Sequence, residues 1–159
     1  MITIHCSTGE VVAIDVSTLR GAILDGYELH RAQLNGCDLR GVSLQHSNLR
    51  AANFTDADLT SANLSTARLQ VASFERAKLL DVSLRNAQLA GAVFVESDLR
   101  RADLSGSDVG HATFRKAKLE GANMQCSRIE LASFEAATYD AETLWPHGFT
   151  PPVQGRARE

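Results

Sequence analysis

From Leu19 to Leu144 every fifth residue is apolar, 26 positions in all, and the column never admits a charged or amide side chain. Two residues before each stands something small: 16 Ala, 5 Ser, 2 Val and Cys37, with Tyr27 and Glu142 as the exceptions. A period of five matches neither the ~3.6 of a helix nor the 2 of a flat strand. It requires a backbone that turns every few residues and returns the same side chain to the inside. If one repeat makes one side of a square, four repeats close one coil, and the phenylalanines test that geometry. Phe54, Phe74, Phe94, Phe114 and Phe134 recur once in every four repeats and fall on a single side, with Leu34 and Ile14 continuing the series upstream. The spacing predicts an all-β quadrilateral solenoid over residues 17–144, with about six to seven coils and a Phe stack beside three mostly Leu stacks. Coils in parallel ladder contact at ~4.8 Å give a rod of about 31 Å.

The remaining pattern agrees with that geometry. Gly21, Gly26, Gly36, Gly41, Gly91, Gly106 and Gly121 all occupy the last place of a repeat, at the corner. Pro146, Pro151 and Pro152 lie beyond the array, as expected where each coil donates N–H groups to its neighbour. Ahead of the array, Ile2, Ile4 and Cys6 alternate with Thr3 and His5, then a Ser7–Glu10 turn precedes Val11, Val12 and Ile14. Residues 1–16 therefore read as a β-hairpin covering the first coil. Residues 145–159 hold Trp145 and Phe149, the aromatics of the tail. They fit either an end cap or a homodimer through the end of the solenoid. The polar stretch from Val153 to Glu159 is expected to fray.

Composition narrows the functional classes. The 159 residues carry a net charge of −3 and a pI near 5.9, so no basic field recruits nucleic acid directly. Cys6, Cys37 and Cys126 are odd in number and lack CxxC spacing, which points to reduced thiols in a cytoplasmic compartment. Neither a membrane-spanning run nor a secretory leader is read. His5, His30, His46 and His111 show no ligand spacing, and no phosphate loop is present, so neither metal nor cofactor is expected. Glu75, Asp81, Glu96 and Asp98 have Arg76, Arg85 and Arg100 nearby in sequence and read as a solvated charged face, while Cys126 is placed at an outward corner. The expectation is a chain that is not an enzyme.

Stretches such as Ala52-Asn53-Phe54, Ala57-Asp58-Leu59, Ala62-Asn63-Leu64 and Ala102-Asp103-Leu104 resemble the pentapeptide-repeat family, written A-(D/N)-L-x-x. The resemblance covers about four fifths of the chain and implies a right-handed quadrilateral parallel β-helix. The hairpin and the Trp145-Pro146-His147-Gly148-Phe149 segment look like flanks of bacterial, notably cyanobacterial, members.

That family implies two functions. Some members act through protein contacts, and others imitate duplex DNA to occupy type II topoisomerases such as DNA gyrase and topoisomerase IV. A mimic needs dense negative charge, since duplex DNA carries one per ~1.7 Å. Residues 17–136 instead hold 14 Lys or Arg and 14 Asp or Glu. The repeat also reads as uninterrupted, without the projecting loops of quinolone-resistance members. The favoured reading is a rigid protein-interaction module, with the topoisomerase-directed mimic as the alternative. Outward apolar residues include Val71, Leu131 and a cluster of Leu80, Val93 and Val95, which reads either as a contact patch or as unremarkable single aliphatics.

Overall fold

A computed structural model describes residues 1–153. The chain winds as a right-handed quadrilateral β-helix, and its four sides can be numbered by their inward columns. The first begins at Leu19, the second at Leu24, the third at Leu29 and the fourth, which carries the phenylalanines, at Leu34. Each side contributes one bridging residue per coil. On the fourth, Gln33, Asn53, Ser73, Val93, Thr113 and Ser133 form a parallel ladder, each bridging its counterpart in the next coil. The Phe54 N–H donates to Ser73 O at 2.7 Å and the Ser73 N–H donates to Ala52 O at 3.0 Å, and the other sides repeat this exchange.

The corners explain the period of five. The Ala57 N–H donates to Phe54 O at 3.0 Å, closing a four-residue turn whose third member, Asp56, has φ 60°. Positive φ at that place is the requirement of a type II turn. Every fifth residue from Gly21 to Gly121 takes it, 21 positions of which only 7 are glycine. After the turn the small residue points inward, where space is least. Ala57, Ala77 and Ala117 are buried there, and Ser97 and Ser107 fit because their hydroxyls donate to Phe94 O and Leu104 O at 2.8 and 2.6 Å. The large residue two places on fills the axis. Phe54, Phe74, Phe94, Phe114 and Phe134 stack with ring centroids 4.8–5.1 Å apart and planes within 4°.

Two departures correct the uninterrupted column. Asp108 bridges Ser127, one residue early, and a 3₁₀ turn at Ile129–Leu131 returns the residue so that Thr113 again meets Ser133. The slip turns Cys126 inward: it is buried, donates to Met124 O at 3.1 Å and does not sit at an outward corner. Later, Asn123 bridges Leu144, one residue late. Thr143 takes the small inward place, its hydroxyl donating to Leu119 O at 2.9 Å, and Leu144 faces outward at 50% exposure. The extra residue is absorbed by a turn at Asp140, whose carboxylate accepts from the Gly121 and Glu142 N–H groups at 3.0 Å each.

The two ends close differently. Strands β1 (Ile2–His5) and β2 (Val11–Ile14) form an antiparallel hairpin pairing Ile2 with Ile14. It joins the fourth side where Cys6 bridges Ala32 and the Gln33 N–H donates to His5 O at 2.8 Å, with Ile4 and Ile14 in the core. At the other end Trp145 meets Phe134 edge-on at 5.5 Å and Tyr139 at 5.3 Å, and Phe149 lies 6.1 Å from Phe134. The Tyr139 hydroxyl donates to Pro152 O at 2.6 Å and ties the segment down. Of the tail expected to fray, residues 154–159 lie outside the described residues.

Candidate functional site

With the axis filled, chemistry is confined to the outer faces. Two shallow grooves run along the corner between the first and second sides. One is lined by Arg20, Gly21, Arg40, Gly41, Thr60 and Ser61, the other by Arg100, Arg101, Glu120, Gly121, Asp140 and Glu142. Neither brings a nucleophile to a base. Among the described residues no group of His, Cys, Asp or Glu is placed to hold a metal ion. His46 Nδ1 shares a hydrogen bond of 2.7 Å with the Thr66 hydroxyl, while His5, His30 and His111 are exposed. Burial pushes the Cys126 thiol up to about 12, which suppresses its nucleophilic form.

The charges form a lattice in which neighbouring coils neutralise each other. Arg76 pairs with Asp56 at 2.8 Å and Glu75 at 2.5 Å, Arg101 with Asp81 at 2.6 Å and Lys116 with Glu96 at 3.0 Å. Within a side, Arg40 holds Asp38 and Arg100 holds Asp98, at 2.5 and 2.6 Å. The Arg40 guanidinium keeps the Asp38 carboxyl at about 2, and the paired arginines lower Asp56, Asp81 and Asp98 likewise. Lys78–Asp58, Arg85–Asp103 and Arg128–Asp108 complete the set. Nine of the 14 carboxylates in residues 17–136 are thus ion-paired.

Six bases in that span lie outside these pairs. Arg20, Arg115 and Lys118 still help to hold down the carboxyls of Asp38, Glu96 and Asp98. Arg31, Arg50 and Arg68 do not: among the described residues their guanidinium groups make neither an ion pair nor a hydrogen bond. Arg50 and Arg68 lie on the third side and Arg31 at its corner with the fourth. The Arg31 N–H donates to Arg50 O at 2.9 Å, and Arg68 bridges Asn48. A tally of charge by side passes over them. The signal in the sequence is local: the places one coil before and after Arg50 and Arg68 hold His30, Gln70, Asn48 and Gln88, without a carboxylate.

The apolar residues singled out from sequence are not all brought together. Val93 and Val95 share the fourth side, half-buried, and Gly91 links them to the corner bearing Val71, which is 60% exposed. Leu80 lies on the first side, separated from them by the charged corner of Asp56, Arg76, Glu96 and Lys116. Leu131 is exposed on the 3₁₀ turn.

Comparison with known proteins returns one family and several structures. The family described as Pentapeptide repeats matches in 8 copies over residues 17–50, 28–70, 67–106 and 97–135. No curated protein matches the sequence. Similar solved structures include HetL, a pentapeptide repeat protein involved in heterocyst differentiation regulation from the cyanobacterium Nostoc sp. strain PCC 7120. It is 28% identical with a TM-score of 0.63, over 74% of this chain and 52% of HetL, so the chain spans about half of that structure's length. A second Nostoc PCC 7120 pentapeptide repeat protein is 35% identical with a TM-score of 0.56, over 58% of this chain and 77% of that one. The plasmid-mediated fluoroquinolone resistance protein QnrB1 is 24% identical with a TM-score of 0.45, over 78% of this chain and 63% of that chain.

Proposed function

Because the chain belongs to the pentapeptide-repeat family, we propose that it is a non-enzymatic scaffold: a stiff square rod that works by presenting its outer faces to a protein partner. The filled axis is the observation that carries this reading. With Phe94, Leu99, Leu104 and Val109 all at 0% exposure around one coil, the axis leaves no room for an active site, and the two grooves on the outer corner bring no nucleophile to a base. What it does offer is a fixed lattice of side chains about 4.8 Å apart along the axis, which suits recognition without rearrangement. HetL, which is involved in regulating heterocyst differentiation, supports a regulatory setting for such a rod.

The ion pairs weigh against a DNA mimic, because each neutralised carboxylate is one fewer phosphate-like charge. Supercoiling by DNA gyrase in the presence of micromolar protein tests the choice. Unchanged supercoiling is expected; inhibition, or protection of gyrase from a quinolone, would transfer the proposal to the topoisomerase-directed alternative.

A further inference from the structure

Building on the interaction-rod reading, we propose a docking surface at the corner between the third and fourth sides, centred on Val71 and flanked by Arg31, Arg50 and Arg68. Its occupant is an extended acidic segment of a partner protein that also carries an apolar side chain.

The first observation is conformational. Val71 has φ 53°, in the left-handed region that a β-branched residue avoids. The other β-branched residue at such a corner, Thr66, has a hydroxyl that bonds His46. Val71 has no such bond to make, and at 60% exposure little packing offsets its strain. The other non-glycine corners from residue 21 to 121 carry polar or charged side chains or alanine, so a strained, exposed aliphatic among them points to a contact made outside the chain. The neighbouring coil leaves room for that contact. A Cβ on Gly91 would stand 3.1 Å from Val71 Cγ1, so glycine there keeps a low shelf beside the valine. Val93 and Val95 extend the shelf onto the fourth side.

The second observation is electrostatic, and it fixes the occupant. On a rod where most carboxylates are paired, Arg31, Arg50 and Arg68 are three exposed cations of one side and its corner that have no acidic partner among the described residues. They step diagonally across three successive coils, with backbone separations of about 6–8 Å given the coil and residue spacings of a sheet. Side chains on one face of an extended peptide recur every ~6.8 Å. Carboxylates at alternate positions of a strand therefore meet them in turn, with an apolar residue of the same segment on the Val71 shelf; arginine is among the residue types enriched where interfaces concentrate their binding energy. A nucleic acid fits less well, because the anchor is aliphatic and Glu28 and Asp108 share the side.

Selection of random peptides displayed on phage against the full chain, followed by fluorescence anisotropy with the enriched peptides, tests the assignment. Enriched sequences should combine Asp or Glu at alternate positions with one aliphatic or aromatic residue. Their affinity should fall about tenfold or more, ~1.4 kcal/mol, in the Arg50→Glu/Arg68→Glu double variant and in Val71→Asp, and should be unchanged in Lys118→Glu. Val71→Gly guards against a folding artefact: it should melt higher than the parent yet bind more weakly. Enriched peptides without acidic residues, or with affinities indifferent to the corner variants, would overturn this surface while leaving the interaction rod standing. Tighter binding of a single-stranded oligonucleotide through the same arginines would reassign the corner to nucleic acid. Self-association lost in the double variant would reassign it to a second copy. Recovery of no binding peptide, together with gyrase inhibition, would remove the surface and the interaction reading alike.

Discussion

At the level of single residues the fold rests on two demands, a filled axis and a left-handed corner, and substitutions separate them. Phe94 is fully buried between Phe74 and Phe114 at 4.8 and 4.9 Å. Phe94→Asp places an unpaired charge in that stack and should abolish cooperative folding. Phe94→Leu, which matches the other three stacks, should retain the fold at a cost of about 1–2 kcal/mol by urea titration followed by circular dichroism. Survival of the aspartate variant would mean that the phenylalanines do not face inward. The corner makes the opposite prediction. Val71→Gly relieves a φ of 53°, and after the entropy of the added glycine it should stabilise by about 0.5–1 kcal/mol in the same assay. Cys126, buried and with its thiol pushed up to about 12, should react with an aromatic disulfide reagent only on unfolding; rapid labelling of the native protein at that position would contradict its inward place.

Among the elements, the C-terminal aromatic cluster is the one whose loss should be felt locally. In a solenoid each coil touches only its neighbours, so stability is a sum of nearest-neighbour terms. Trp145→Ala removes ring contacts to Phe134, Tyr139 and Phe149. Hydrogen exchange should then rise over residues 119–144 while residues 44–84 keep their protection; uniform loss along the rod would show the cap to be a global clamp. How much of each element is readable in the sequence varies with its physical origin. The coil is legible because a repeated inward side chain leaves a repeated letter, and Phe54 through Phe134 even mark one side. The slips at Ser127 and Leu144 are not, because Ile129 and Leu144 keep the apolar letter in register while the backbone beside them does not. A 3₁₀ turn that restores the phase it interrupts leaves the column of fives intact on paper. The arginine-flanked corner is half-legible: Val71, Val93 and Val95 stand out by composition, but the isolation of Arg50 and Arg68 emerges only when each charge is compared with the place one coil away.

For the whole rod, the ion-pair lattice fixes the response to acid. Asp38, Asp56, Asp81, Glu96, Asp98 and Asp108 are all held below their ordinary values by a neighbouring arginine or lysine. A carboxyl with a lowered folded pKa contributes its stabilisation above the unfolded value of ~4 and loses it as pH falls through the folded value. The melting temperature should therefore stay nearly level from pH 7 to about 5 and fall between about 4 and 2, by a modest amount because these pairs are largely solvent-exposed. A flat profile through that window would show that the pairs contribute little in solution. The coil also governs how such molecules change length. Four repeats return the chain to the same bearing, so duplicating a coil extends the reach of the rod and leaves its two ends facing as before. A single repeat advances it by a quarter turn, so gaining one swings the aromatic end against the hairpin with almost no change in length. Reach and bearing can thus be inherited as separate quantities, one counted in whole coils and the other in single repeats.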